Sequence, residues 1–145
     1  MSLFSVLSVS ASGMAVQRKR AELLVENLAN SETTRTPEGG PYKRKDAVFQ
    51  TERQVSPFSS VFQSELNGGL NGVSVSEVLE DTREPDKRYL PGHPDADAGG
   101  YVAFPRINPT EDMVDLVGTS RSYQGNVVAM SAVKDMINRS LDLMR

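Results

Sequence analysis

A chain of 145 residues is one domain's worth, or less if its ends are not globular. Its hydrophobic share is 38%, it has no Trp, and its formal charge is −3, so no general electrostatic argument makes nucleic acid or an anionic membrane its partner. The absence of Cys excludes disulfides, thiolate metal sites and Cys nucleophiles, and no stretch approaches the ~18 apolar residues of a membrane span.

The first element is a helix. Alternating steps of four and three from Leu3 reach Leu7, Ser10, Met14, Gln17, Ala21, Leu24 and Leu28, and six of these eight positions are apolar. Phe4, Ala11 and Val25 widen the stripe, and Gly13 is a weak point inside it. No basic region precedes the apolar positions, so a cleaved signal peptide is not expected. The helix should stop at Asn30-Ser31, with Asn30 in the left-handed conformation that Asn tolerates at a helix end. Residues 1–31 form the first segment.

Residues 32–108 have a different composition. "TPEGGPYKRK" stacks Thr, Pro and a Gly pair behind the helix, and Lys43-Arg44-Lys45, like Arg18-Lys19-Arg20, reads as a solvated face or an interface rim. Short alternating runs at residues 47–51, 73–79, 88–90 and 101–107 predict three or four strands, with a glycine-paired loop near residues 65–72. His93, Asp95 and Asp97 invite a metal reading, but a hard-cation site needs more ligands. Pro91-Gly92 and Pro94-Asp95 suit turns whose Asp side chains bond their own backbone. No metal or cofactor is expected. With one histidine and no phosphate-cradling Gly-rich motif, neither is a catalytic site.

The last element, residues 109–145, is a second helix. Asn108 suits the N-cap, Pro109 the first helical position and Glu111 the capping box. Met113, Leu116, Ser120, Tyr123, Val127, Met130, Lys134, Ile137, Leu141 and Met144 follow the three-four alternation, eight of ten apolar. At ~1.5 Å per residue the helix would be roughly 54 Å long. Arg121 is either a solvated charge beside a seam Tyr123, or it joins Asn126 in fixing the register of packed helices. The implied fold is α+β: long terminal helices packed as a coiled-coil-like pair around a small β-rich, turn-rich middle. That middle offers little core, so the seams call for partner helices from other chains.

Two separated segments carry a resemblance. "SGMAVQRKRAELLVENLANSETTRTPEGGPYKRK" and "SRSYQGNVVAMSAVKDMINRSLDLM" resemble the bacterial flagellar rod and hook proteins, through Asn27, Ala29, Asn30, Thr33 and Thr34 in the first and Ser120, Arg121, Tyr123 and Asn126 in the second. "YLPGHPDADAGGYVAFPRIN" is similar to the proximal-rod members, whereas residues 53–72 match nothing in them and read as a variable insertion. The resemblance implies an axial structural protein exported through the flagellar type III apparatus. It would assemble helically with copies of itself, other rod proteins and the rod–MS-ring junction protein, without stable membrane insertion. It also implies subunit interfaces along Leu3, Leu7, Met14, Leu24, Leu28, Asn30 and Thr33, along Met113, Leu116, Arg121, Tyr123, Asn126, Val127, Met130, Ile137 and Leu141, and at Lys43, Arg44 and Lys45, which would meet acidic groups on neighbours. A soluble helical adaptor for a partner coiled coil is the alternative.

Overall fold

The computed structural model describes residues 3–53 and 71–143. In chain order it comprises α1 (Leu3–Ala29), β1 (Lys45–Arg53), β2 (Asn71–Glu80), β3 (Asp86–Tyr89), β4 (Tyr101–Phe104) and α2 (Pro109–Asp142). The strands form two separate antiparallel pairs, β1 with β2 and β3 with β4. Most of the expected insertion, and Met144, lie outside the described residues.

The start of α2 follows from its first residues. Asn108 is extended, its side-chain oxygen accepts the Thr110 amide at 3.1 Å, and Pro109 follows where an amide would have no helical partner. The end of α1 corrects the left-handed expectation for Asn30. Among the described residues positive φ occurs only at glycines, Gly39, Gly40 and Gly100. Asn30 instead closes the helix with donors. Its Nδ2 donates to the Glu26 carbonyl at 2.9 Å, and the Ser31 hydroxyl donates to the Leu28 carbonyl at 2.9 Å. The Glu26 carbonyl also keeps the Asn30 amide at 3.1 Å and the Leu28 carbonyl accepts the Ser31 amide at 3.3 Å, so the last turn closes without a left-handed residue. The sharp reversal falls later, at Gly39-Gly40, where the absence of Cβ makes φ of 92° and 80° accessible.

α1 and α2 run antiparallel: Gly13 lies opposite Asn126, while further along α1 Arg20 Nη2 meets Asp115 Oδ2 at 3.4 Å. The β1–β2 hairpin lies against α1, and the Val73 amide donates to Ser12 Oγ at 3.1 Å. Its register shifts at Val48/Phe49, a β-bulge that bends the hairpin. α1 therefore supplies most of the buried apolar side chains of the helical layer, Val16, Leu23 and Leu24, and α2 adds Val133. A second small cluster, Val102 and Phe104, sits in the β3–β4 arm, with the Arg88 guanidinium 4.7 Å from the Phe104 ring centre.

Candidate assembly interface

The outward face of α2 depends on how its inner face is held, and the hold is concentrated where α1 ends, β1 begins and α2 starts. Asn27 is completely buried there. Its Nδ2 donates to the Lys45 carbonyl at 2.9 Å, and its Oδ1 accepts the Lys45 amide at 2.9 Å and the Tyr42 hydroxyl at 3.0 Å. One side chain thus returns the loop after α1 onto α1 itself, with its amide oxygen and one amide hydrogen satisfied. Burial, then the Glu26 and Glu80 carboxylates, push the Tyr42 phenol from 10.0 up to about 12.

Next to this knot Asp112 is buried on the first turn of α2, with 1% of its surface exposed. Arg44 Nη1 stands 2.8 Å from its Oδ1, outside hydrogen-bonding alignment, so the contact is an ion pair and neither carboxylate oxygen is hydrogen-bonded. Burial raises the Asp112 carboxyl above its usual range and Arg44 pulls it back. Arg44 also reaches Asp46 at 3.2 Å, and Lys45 Nζ lies 2.6 Å from Glu26 Oε1. Within the single chain, Arg44 and Lys45 are therefore paired with carboxylates of their own chain. Of the triplet, Lys43 is exposed.

The helix seam also differs from the apolar count. The side of α2 turned inward has Asp112, Thr119 and Val133 buried, with Leu116, Asn126, Met130 and Ile137 half-buried. These alternate by three and four with Tyr123, so the inner stripe shares Leu116, Tyr123, Met130 and Ile137 with the expected one. It replaces Met113, Ser120, Val127 and Lys134 by the residue before each. The reason is close approach. Gly13 presents backbone to Asn126, whose Nδ2 would lie 3.0 Å from any Cβ added there, so small and polar groups fit the inner side. Met113 is left 54% exposed, Val117 54%, Val127 41% and Leu141 57%. Val114, Val128 and Met136 are exposed beside them, as is Arg121.

The remaining expected interface residues distribute unevenly. Leu24 is buried in the chain's own core; Leu7, Met14, Leu28, Asn30 and Thr33 are half-buried; the side chain of Leu3 lies outside the described residues. Asn27 and Asp112 were not among them. Asn27 was visible in the sequence only as a motif position, and Asp112 stands only as an acidic residue in the first turn of α2. Their roles require Lys45 and Arg44, 18 and 68 residues away.

The expected turn around His93 is formed, and its aspartates are occupied. Asp97 Oδ1 accepts the Gly99 and Tyr101 amides, and Asp95 Oδ2 accepts the Thr34 hydroxyl at 2.8 Å. Among the described residues no group of three or more His, Asp or Glu is placed to hold a metal ion. An open groove of about 430 Å³ beside the start of α2 is lined by Arg44, Arg83 and Arg106. Arg44 is held by Asp112 and Asp46, Arg83 by Asp81 at 2.6 Å, and Asp86 and Glu111 also line the groove.

Known proteins align with the whole of this arrangement. Residues 98–143 match the family described as flagellar basal body rod FlgEFG protein C-terminal. The chain is 41% identical to the flagellar basal-body rod protein FlgC of Bacillus subtilis, with 99% of each chain covered. It is 35% identical to the protein of that name in Salmonella typhimurium, over 99% of this chain and 98% of the relative. The FlgC of Borreliella burgdorferi is 34% identical over 100% of this chain and 99% of its own.

Proposed function

Because the chain belongs to the FlgC family of flagellar basal-body rod proteins, we propose that it works through the outward face of α2, which packs against neighbouring subunits of the rod. The protein is a structural subunit, not an enzyme; it resides in the flagellar basal body and assembles with other rod proteins. The observation that carries the surface assignment is the division of labour along α2. Its inner side uses Asp112, Thr119 and Asn126, while Met113, Val117, Val127, Val128 and Leu141 are turned to solvent. Exposed apolar residues along a 34-residue helix are a liability for a protein that stays alone and an asset for one whose neighbours cover them.

Successive copies related head-to-tail would continue as a helical tube rather than close into a ring. Copies of itself, other rod proteins and the rod–MS-ring junction protein are the neighbours we assign, with delivery through the flagellar type III export apparatus. A chain without Cys forms no disulfide traps on such a route. Lys43, Met113, Val127 and Leu141 remain candidates for direct contact, whereas Leu24, Arg44 and Lys45 act by holding the subunit in shape.

The test is complementation of a strain lacking the gene, with basal bodies purified and their peptides identified by mass spectrometry. The wild-type chain should be found in basal bodies with complete rods. Val127→Asp should give a folded chain and no rods, because it places a charge in a covered apolar face. Complete rods containing Val127→Asp would overturn the surface assignment. Absence of the wild-type chain from basal bodies, with rods intact, would overturn the rod role.

A further inference from the structure

The turn at the end of the β3–β4 arm holds the loop that follows α1, and the hold contains the chain's single histidine. Asp95 is the link. Its Oδ2 accepts the Thr34 hydroxyl at 2.8 Å, and its Oδ1 lies 3.8 Å from Arg35 Nη1. Asp95 is itself set by His93, whose Nδ1 accepts the Asp95 backbone amide at 3.1 Å. The same Nδ1 lies 4.0 Å from Asp95 Oδ2. The imidazole is half-exposed, so a proton can reach it without unfolding the arm.

From this juxtaposition we propose that protonation of His93 loosens the arm from the loop, making the contact between these two projections sensitive to pH. An imidazole accepts an amide through Nδ1 only while that nitrogen carries no proton. Once protonated, Nδ1 faces the Asp95 N–H donor to donor, and the ring must turn or the amide must move. A carboxylate oxygen, Asp95 Oδ2, stands 4.0 Å away and already accepts from Thr34. The imidazolium competes for that oxygen and draws the carboxylate away from Thr34 and Arg35. A side chain that titrates between pH 5 and 8 is the one suited to such a change near neutrality.

The other groups facing the ring do not remove the effect. Asp95 is the negative group beside it, its Oδ2 4.0 Å from Nδ1, and Arg35 of the loop lies 3.8 Å from the other oxygen of the same carboxylate. From β4 the ring meets the uncharged Phe104, 6.4 Å between centres, and Arg88 of β3 stands over that same Phe104. Asp97 on the same turn is occupied by the Gly99 and Tyr101 amides. One carboxylate therefore dominates the surroundings of the imidazole and is also the group that holds the loop.

Amide hydrogen exchange on the full chain, corrected for intrinsic rates, at about pH 7.5 and about pH 5.5 tests this across the histidine range. Protection of the Asp95 amide in the wild type should fall roughly three- to tenfold in acid, the scale of one lost hydrogen bond. Its midpoint should follow the NMR titration of the His93 ring. His93→Asn, whose Oδ1 can accept the amide two residues on in the same kind of turn, should keep its protection at both pH values. The Thr36 amide donates to the Gly40 carbonyl at 2.9 Å inside the loop, and Thr34→Val should give it at neutral pH the faster exchange that the wild type shows in acid. Unchanged Asp95 protection in the wild type, or an equal acid loss in His93→Asn, would overturn the switch. A Thr36 amide indifferent to both acid and Thr34→Val would overturn its coupling to the loop.

Discussion

α1 and α2 have the same apolar period and lie along one another, yet among the described residues α1 is covered on two sides and α2 on one. α1 meets α2 and also the β1–β2 hairpin, and it contributes Val16, Leu23 and Leu24 to the core. α2 meets α1, buries Asp112, Thr119 and Val133, and leaves Val114 and Val128 each 67% exposed. The difference teaches that a helical stripe specifies that a surface will be covered, not by which molecule. In a subunit built for assembly, the helix with fewer partners inside the chain is the one with apolar surface to offer outside.

The comparison can be broken most severely at the charged pair that fixes the start of α2. Arg44→Ala leaves the Asp112 carboxylate buried without a counter-ion and should cost about 4 kcal/mol in urea unfolding of the full chain. Because burial already raises the Asp112 carboxyl, protonation relieves the lone charge, so the cost should shrink on acidification. A cost below about 1 kcal/mol, independent of pH, would mean that Arg44 does not hold α2.

The asymmetry of the helices is sharpened by a matched pair of truncations. Leu24→Ala removes a buried side chain and should cost about 3 kcal/mol. Val128→Ala removes an exposed one and should stay within about 0.5 kcal/mol in the isolated chain, while reducing incorporation into rods. Equal costs for the two would show that α2 has an inner role for its outer face.

The place where the helices approach most closely gives a smaller effect whose sign is informative. Gly13→Ala gains about 1 kcal/mol of helix propensity but crowds Asn126, and overpacking of this kind costs about 1–3 kcal/mol. The net change should be a loss of about 1 kcal/mol, turning into a gain when Asn126→Ala is also present. A stabilising single substitution would mean that the helices separate without cost.

The smallest expected change is at the joint. Tyr42→Phe removes one hydrogen bond to Asn27 and should cost about 1 kcal/mol at neutral pH. The folded phenol lies at about 12, above its unfolded value of 10.0, so the folded state keeps the proton longer. Wild-type stability should therefore fall from about pH 10 and level off above about 12, and the variant should lack that slope.

Much of the fold was legible because its signals are local. The N-cap at Asn108 with Pro109 behind it, the three-four alternation of both helices, and the alternating runs of the strands each concern residues close in sequence. The end of α1 was located correctly but explained wrongly. The sequence shows an Asn at the end and cannot show that its side chain would take the Glu26 carbonyl instead of the backbone turning left-handed. The surface proposed for assembly was marked in part. Met113, Val127 and Leu141 were marked as apolar seam residues, but the inner stripe through Asp112, Thr119, Asn126 and Val133 was not, because nothing apolar marks its first three members.

The sequence by itself determined two long helices, a short-stranded middle and a chain with more helical stripe than its own core could cover, since periodicity and turn chemistry act over a few residues. The tertiary structure alone decided which way each stripe faces. Gly13 lets α2 come close, Asn27 fastens Lys45, and Arg44 reaches Asp112. Those contacts join residues far apart along the chain, and they set which side of α2 is held inside and which is left exposed.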